Sequence, residues 1–472
     1  MSPEPVTIAP DTTAPVASVR VLTPAGVLGA GFPESTIERG MSLRPDVIAL
    51  DGGSTDSGPY YLGAGQPKIA AAAVRRDLRV LLKAAAAAGI PLVIGSCGTS
   101  GTDSGVDWVA GMVAAIQQEE GLSMRVARIY AEQEASELKQ YLDTGRLHAL
   151  PPLGELTADV LESCTHIVAM MGHEPIVAAL ENGAQVVLAG RATDTALAAA
   201  VPLMKGMPPG PTWHASKIVE CGGQATTDPR AGGVLATIDA AGFFTIEPLS
   251  PDAACTPTSV AAHMLYETVD PFRMREPDGT LDVSGASYAA LDDRIVRVDG
   301  SRFETAAQYT NKLEGARVAG YETLSFSAIR DPLITGAIDE WAAFLRRTLV
   351  SRVEQTLALS PDEYAFDLRL YGHNGVLDEL EPDSDHAPRE VGVMLLVNAH
   401  DQATATAVAK IANPLMLHLP TPDMTYLPSL AFATSPAEVE RGPAYEFVLN
   451  HVVDSPSPTS LFRIEIEEAA DV

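Results

Sequence analysis

The first half of the chain alternates short apolar runs with segments in which apolar residues recur at helical spacing. We predict strands at residues 16–23, 46–50, 91–95, 124–130, 165–170 and 185–190, and helices at about 69–88, at 106–118 and after residue 194. Apolar strands separated by helices are typical of a parallel sheet that is covered on both faces. The pattern therefore predicts a mostly parallel, Rossmann-like α/β domain over residues 16–230, preceded by a flexible arm at 1–15.

The pattern changes at about residue 231. Strand-like runs dominate up to residue 329, an amphipathic helix covers about 334–357, and two antiparallel-looking strands follow at 364–371 and 390–398. A helix at 402–412 is expected to stop at Pro414. The segment 205–235 is rich in Pro, Gly and Thr, and we interpret it as a long loop or a crossing between subdomains. Residues 231–472 are therefore predicted to form a mixed α+β domain.

Charge and cysteine usage narrow the range of partners and compartments. The 472 residues carry a formal net charge of −29, whereas nucleic acids and anionic membranes are bound by basic surfaces. We therefore expect neither as a partner. The four cysteines have no CxxC spacing, and no signal peptide or apolar run of about 18 residues is visible. We expect a cytoplasmic protein, and a homo-oligomer because closed symmetric assemblies are common among soluble proteins.

Small polar loops follow several of the predicted strands, at the position where ligands bind in open α/β sheets. The loop 51–59 (DGGSTDSGP) offers Asp51 and Asp56 as candidate catalytic carboxylates. The same two residues could hold Mg²⁺ or Ca²⁺, which prefer oxygen ligands. A turn that caps a helix would explain the loop without a function. The candidates for substrate binding in this loop are Gly53, Ser54 and Thr55.

The loop 95–105 (GSCGTSGTDSG) follows the next predicted strand along the chain. Cys97 is a candidate nucleophile, provided that a helix N-terminus lowers its pKa. The alternative is a small buried side chain that fills space. Backbone N–H groups and hydroxyls of the same loop suit an anion or carboxylate. The candidates for substrate binding here are Ser96, Gly98, Thr99 and Ser100.

Two later segments complete the predicted site. In 190–196 (GRATDTA), Arg191 presents a planar fork that suits a carboxylate or phosphate, although a structural Arg–Asp pair is the alternative. Thr193 and Asp194 are further binding candidates beside it. In 217–229 (KIVECGGQATTDP), Glu220 is a candidate catalytic acid or base, with Cys221 and Gln224 as binding candidates. His173 is a possible proton carrier, or a histidine that starts a helix.

Several established cofactor motifs are absent from the sequence. The turn at 26–33 (GVLGAGFP) matches the dinucleotide pattern GxGxxG imperfectly, and the sequence contains no Walker A loop, HExxH, GxSxG or zinc-type Cys/His spacing. We therefore expect no nucleotide cofactor. The cofactor is otherwise open, with a divalent metal at Asp51 and Asp56 as one possibility.

The loops as a set resemble the acyclic terpene utilisation (AtuA-like) family. The resemblance rests on the segments 51–59, 95–103, 188–196, 219–229, 311–317 (NKLEGAR), 371–377 (YGHNGVL) and 447–453, and it spans about residues 18–467. It implies a role in the breakdown of carboxylic acids and acyl-CoA thioesters, but it supplies no catalytic residues. It also implies a small associated domain that is missing here, so we expect any such partner to be a separate polypeptide.

Three functions remain open at this point. The first is a lyase or hydratase of a small carboxylic acid or its acyl-CoA thioester, in which loop N–H groups and Arg191 stabilise an enolate-like charge. The second is a hydrolase of an amide, lactone or thioester, with Cys97 or a metal-activated water as the nucleophile. The third is a non-catalytic acyl-binding subunit of a catabolic complex.

Overall fold

In the computed structural model, which describes residues 16–230, 232–382 and 387–467, helices alternate with strands along the first half of the chain. The strands are β1 (Ser18–Thr23), β2 (Val47–Asp51), β3 (Leu92–Gly95), β4 (Val126–Tyr130), β5 (Leu147–Ala149), β6 (His166–Ala169), β7 (Val186–Ala189), β8 (Val234–Asp239), β9 (Phe243–Pro248), β10 (Arg273–Glu276), β11 (Gly279–Asp282), β12 (Ser287–Ala290), β13 (Val296–Asp299), β14 (Arg302–Thr305), β15 (Thr310–Ile329), β16 (Tyr364–Tyr371), β17 (Val391–Ala399), β18 (Ala431–Phe432), β19 (Glu438–Asp454) and β20 (Arg463–Ile466). The α-helices are α1 (Glu34–Ser42), α2 (Pro59–Ala64), α3 (Ala71–Ala88), α4 (Asp103–Glu120), α5 (Ala135–Asp143), α6 (Ala158–Ser163), α7 (Glu174–Glu181), α8 (Asp194–Met204), α9 (Pro209–Val219), α10 (Pro257–His263), α11 (Pro332–Thr335), α12 (Ile338–Leu357) and α13 (Gln402–His418).

A ten-stranded sheet contains most of the strands predicted in the first half. Its order is β12-β13-β9-β8-β1-β2-β3-β7-β4-β20. The five central strands from β1 to β4 pair in parallel, whereas the flanking pairs are antiparallel. The prediction of an α/β fold with parallel strands is therefore confirmed at this level, and the antiparallel flanks make the sheet mixed.

Alternate residues of the central strands enter two different cores. Val47 and Ala49 of β2 belong to a core that also contains residues of α8 and α9, while Ile48 and Leu50 belong to a core with residues of α1, α3 and α4. Because successive side chains of a strand point to opposite faces, this division means that helices cover the sheet on both faces. All four residues are buried, which explains why the strand is apolar throughout.

Three details of the predicted elements are wrong. The run at 165–170 forms β6, which pairs antiparallel with the start of β15 rather than joining the parallel strands. The segment 205–235 contains helix α9, in which Pro209 and Pro211 occupy the first turn, where no backbone N–H is needed. Helix α13 continues past Pro414 to His418, because the residues after the proline are buried against the sheet behind them.

The chain divides into two compact units. The first contains the described residues up to Ala316 and from Phe447 onward, and the second contains Arg317–Glu446. Strands β15 and β19 run through both units. In the second unit β16 and β17 pair antiparallel, as predicted, and β17 also pairs antiparallel with the later part of β15. Helices α12 and α13 share a core with alternate residues of β16 and β17. The predicted boundary near residue 230 remains a prediction.

Within the described part of the chain, no helix is both long and apolar enough to span a membrane. The predicted arm at residues 1–15 lies outside the described residues.

Candidate functional site

The loops that follow β2, β3 and β7 lie directly against one another. The backbone N–H of Ser96 donates to the carbonyl of Gly190 (2.9 Å), and that of Arg191 donates to the carbonyl of Gly101 (3.1 Å). Gly101 has a φ of +70°, and a Cβ there would lie 2.2 Å from the backbone nitrogen of Arg191. The approach therefore requires glycine. Parallel pairing explains the convergence, because it places the carboxyl ends of these strands on one edge of the sheet.

Arg191 is the centre of this group of loops and is buried. Its Nε donates to Oε2 of Glu314 (2.9 Å), and its Nη atoms donate to Ser96 Oγ (3.2 Å) and Thr55 Oγ1 (3.4 Å). The Thr55 hydroxyl donates to the same carboxylate oxygen (3.0 Å). Burial would raise the pKa of Glu314, but the charges of Arg191 and Lys312 hold it at about 2. Glu314 is therefore ionised, and it pairs with a cation that is always charged.

Asp51 and Asp56 occupy different environments and do not form a pair. Asp51 is buried; its Oδ2 accepts from the N–H of Gly53 (3.1 Å), and its Oδ1 has no hydrogen-bond partner. Burial and the charge of Asp194 raise the pKa of Asp51, against the opposing effect of Arg191. Asp56 is instead exposed and accepts from the Ser54 hydroxyl (2.9 Å). Among the described residues, neither aspartate belongs to a cluster of three or more potential metal ligands.

Cys97 is fully buried below this group of loops. Its Sγ lies 3.8 Å from the carbonyl oxygen of Ile94, and burial together with the charge of Asp51 raises the pKa of the thiol. A raised pKa removes the thiolate that a nucleophile needs. The structure therefore argues against Cys97 as a nucleophile and favours the alternative of a small space-filling side chain.

Several hydroxyls and glycines of the predicted loops stabilise the loops themselves. Thr99 accepts from the N–H of Lys68 (2.9 Å), and Ser100 donates to the carbonyl of Tyr61 (3.2 Å), so both hold the chain around α2. The packing of Gly53 and Gly98 is equally close, because a Cβ on either would lie 2.5 Å from backbone atoms. These contacts fix the loops but leave the residues little freedom to meet a substrate.

A cavity of about 500 Å³ lies next to the group around Arg191. Its polar lining includes Arg275, Glu276, Lys312, His148 and Thr193. Lys312 connects the cavity to the group, because its Nζ donates to Oε1 of Glu314 (2.8 Å). The volume falls within the range of small-molecule sites. The other lining residues are Leu150, Met170, Pro277, Gly279, Thr280, Ala306, Gln308, Thr310 and Val452.

Glu276 is the acidic residue of the cavity and is itself buried. Its Oε1 accepts from the Thr195 hydroxyl (2.7 Å), whereas its Oε2 has no hydrogen-bond partner. Burial raises the pKa of Glu276 to about 8, although hydrogen bonds from Thr195 and Thr193 act in the opposite direction. At neutral pH the carboxyl group is therefore mostly protonated, and the basic residues of the cavity are not neutralised by it.

The loop at 220–224 interacts electrostatically with the loop that follows β7. Glu220 pairs with Lys217 of α9, and burial raises the pKa of Glu220 to about 8. The charge of Asp194, which lies 3.6 Å from Arg191, acts on both members of this pair. Gly222 packs on the backbone after β1, where a Cβ would lie 2.8 Å from the carbonyl carbon of Ala25.

Two clusters of three potential metal ligands occur in the described residues. One is Glu220–Cys221–His263, and the other is His173–Glu174–Asp278. In the second, Glu174 accepts from the Tyr309 hydroxyl (2.6 Å) and lies 3.4 Å from His173 Nδ1. Burial lowers the pKa of His173. His173 directly precedes α7, as one of its two sequence interpretations held.

Four residues that the site uses were not singled out from the sequence. Arg275 and Glu276 lie on a hairpin strand of the first unit, and Lys312 and Glu314 lie near the start of β15. Lys312 and Glu314 belong to the NKLEGAR segment that carries part of the family resemblance. That segment was the available signal for them, whereas the hairpin offered none.

Comparison with known proteins supports the resemblance. A family model described as acyclic terpene utilisation family protein AtuA matches residues 68–434, which is more than half of the chain. No curated protein and no solved structure matches the sequence.

Proposed function

We propose that this chain, which belongs to the acyclic terpene utilisation family AtuA, is a lyase or hydratase acting on a small carboxylic acid or its acyl-CoA thioester. The observation that carries the proposal is the charge of the cavity. Arg275 and Lys312 line it in a chain whose net charge is −29, Glu276 is held mostly protonated, and the ionised Glu314 is shared between Lys312 and Arg191. A locally basic site attracts an anion against the overall field of the protein.

The walls of the cavity favour an acid with a hydrocarbon body. Leu150, Met170 and Val452 contribute apolar surface, so a short branched acyl chain would lose water on binding. The carboxylate or thioester carbonyl would then face Lys312. The Arg191–Glu314 pair positions this ammonium group through the hydrogen bond to Glu314.

Glu276 is suited to carry the proton in such a reaction. When water adds to the β-carbon of an α,β-unsaturated acyl group, an enolate-like charge forms on the carbonyl oxygen, and Lys312 would stabilise it. Glu276 gives its proton to the α-carbon. The carboxylate so formed takes the proton that the added water releases, and Glu276 is restored. A carboxyl group with a pKa near the working pH is an efficient general acid.

The alternatives differ in what they require of the cavity. A hydrolase that uses Cys97 is disfavoured by the burial of that thiol. A non-catalytic acyl-binding subunit would use the same basic cavity without turnover. The Rossmann-like character of the sheet, a cytoplasmic location, a homo-oligomer and a small separate partner polypeptide remain parts of the proposal.

The test combines a substrate screen with two variants. The purified chain is assayed for binding and turnover of short unsaturated and hydroxylated acids and their CoA thioesters. Lys312→Met is expected to weaken binding at least about tenfold, while Glu276→Gln is expected to keep binding and lower kcat by about 10²–10⁴-fold. Lys83→Met, which removes an exposed lysine of α3, is the matched control.

Each outcome of this test has a distinct meaning. If Lys312→Met loses ligand binding and the wild type turns over none of the candidates, the chain is a non-catalytic acyl-binding subunit and not an enzyme. Ligand binding that is unchanged in Lys312→Met would show that the site is elsewhere.

A further inference from the structure

A cluster of three side chains outside the cavity has the composition of a transition-metal site. One ligand atom from each of Glu220, Cys221 and His263 lies within 4.8 Å of the others. We propose that these residues bind a divalent transition metal, with Zn²⁺ as the preferred ion. The proposal goes beyond the proposed function and does not depend on it.

Two helices place the three residues. Glu220 and Cys221 directly follow α9, and His263 is the last residue of α10. Helix α10 is tied to the loop after Cys221, because the Ser259 hydroxyl donates to the carbonyl of Ala225 (2.8 Å). The N-terminus of α10 is closed by a capping box between Thr256 and Ser259. The ligands therefore come from fixed elements, as a preformed site requires.

His263 provides the independent sign of a ligand. The residue is only 4 % exposed, and its Nε2 has no hydrogen-bond partner. A buried polar atom without a partner destabilises the fold, and coordination to a metal ion would satisfy it. The ring also stacks on Tyr266 (5.7 Å between centroids) and hydrogen-bonds to the backbone of Lys217. In metal-bound histidines, the ring nitrogen that does not bind the metal commonly makes such a hydrogen bond, which orients the imidazole.

Lys217 supports the ligand set. Its ammonium group donates to Oε1 of Glu220, which leaves the other carboxylate oxygen for a metal. Ligating carboxylates are usually hydrogen-bonded in this way by a second residue. Lys217 is buried; burial and the charge of Glu220 raise the pKa of the Cys221 thiol, and the charge of Lys217 opposes this. Without a metal, the same lysine opposes the effect of burial on the pKa of Glu220.

The mixture of sulfur, nitrogen and oxygen donors selects the class of ion. Thiolate and imidazole suit Zn²⁺, whereas Mg²⁺ and Ca²⁺ require oxygen ligands. Around a tetrahedral zinc the ligand atoms are roughly 3.3–3.8 Å apart, so side-chain movements of about 1 Å would close the cluster. Three protein ligands leave a fourth position for water or a substrate oxygen. The Lys217–Glu220 pair also feels the charge of Asp194, so the ion would lie near the group around Arg191.

Metal binding is measured directly on the full-length chain after chelation. Zn²⁺ is titrated by calorimetry, and Co²⁺ is used as a spectroscopic probe, because cobalt bound to thiolate has a charge-transfer band in the near ultraviolet. The wild type is expected to bind one ion per chain with micromolar or tighter affinity. Cys221→Ser and His263→Gln are expected to weaken binding at least about 100-fold. Cys221→Ser also loses the cobalt–thiolate band, whereas the matched control Cys164→Ser keeps it.

Two results would overturn the proposal. The first is a wild-type chain that does not bind a stoichiometric ion, or a Cys221→Ser chain that binds it equally well. The second is rapid covalent acylation of Cys221 in metal-free protein, which would make Cys221 and His263 a nucleophile and base. If a variant fails to fold, the wild-type cobalt spectrum and the rise in wild-type melting temperature with Zn²⁺ still decide the question.

Discussion

Replacing Glu276 with Gln is expected to stabilise the protein at neutral pH while removing its activity. Burial raises the pKa of Glu276 from the ordinary 4.5 to about 8, so the folded state keeps a proton that the unfolded chain loses. Between these two values, each pH unit destabilises the folded state by about 1.4 kcal/mol. At pH 7 the free energy of unfolding of the wild type is therefore lower by roughly 3 kcal/mol than it is below about pH 4.5. Gln is neutral in both states, and its amide oxygen can still accept from Thr195.

The pH range over which the wild type loses stability determines the two pH values of the assay. The stability that the protonated carboxyl provides is fully present below about pH 4.5, declines as the pH rises, and is gone above about pH 8. Free energies of unfolding in urea are therefore measured for wild type and Glu276→Gln at about pH 5 and about pH 8. The advantage of the variant is expected to grow by about 4 kcal/mol between them. Glu304→Gln, on the exposed strand β14, is the matched control.

Two outcomes would refute the reasoning about Glu276. A stability difference that does not change with pH would mean that the carboxyl group is not held protonated by the fold. A variant that is more stable at neutral pH and still turns over substrate normally would mean that Glu276 is a structural carboxyl. The expected combination of higher stability and lost turnover is the trade-off typical of an active-site group.

The remaining predictions concern the frame of the site. Glu314→Gln leaves the buried Arg191 without its closest carboxylate, so urea unfolding is expected to show a loss of about 3–5 kcal/mol; a loss below about 1 kcal/mol would contradict the ion pair. Gly101→Ala is expected to prevent normal folding because its Cβ would meet the backbone of Arg191, and a wild-type melting temperature would contradict this packing. Cys97→Ala is expected to keep turnover within about twofold, and lost activity in a folded variant would restore Cys97 as the nucleophile.

The strands of the first half could be predicted because both faces of the sheet are buried. A strand such as β2 is apolar at successive positions, and this pattern is visible in the sequence alone. The pairing partner is a different matter. Strand β6 is as apolar as its neighbours, but it pairs with β15, which lies about 140 residues later in the chain. The residues near β6 in the sequence do not indicate which strand it pairs with.

The same limit applies to the candidate site. The glycine-rich loops were predicted because glycine and small polar residues at strand ends have a local physical reason. Arg191 was found in this way. Its carboxylate partner Glu314 lies 123 residues further along the chain, and Glu276 reaches Thr195 across 81 residues. Both partners depend on the register of later strands, which neither composition nor periodicity determines.

Hydrogen bonding separates the residues that support the site from those that remain available to a ligand. Arg191 is occupied by Glu314, Ser96 and Thr55, so its role is to hold three loops together. Native proteins leave few buried polar atoms without a partner, and each such atom needs an explanation. Near these loops they include Oδ1 of Asp51, Oε2 of Glu276 and Nε2 of His263.

Of these three atoms, the first lies inside the group of loops, the second belongs to a residue that lines the basic cavity, and the third belongs to the proposed metal cluster. The loops that stand out in the sequence therefore form the rigid support. Proton transfer is expected from Glu276 and metal binding from His263, and later segments place both residues beside that support. Substitutions that break the contacts of the support, such as Glu314→Gln and Gly101→Ala, should reduce stability and activity together, whereas Glu276→Gln should reduce turnover without a matching loss of stability.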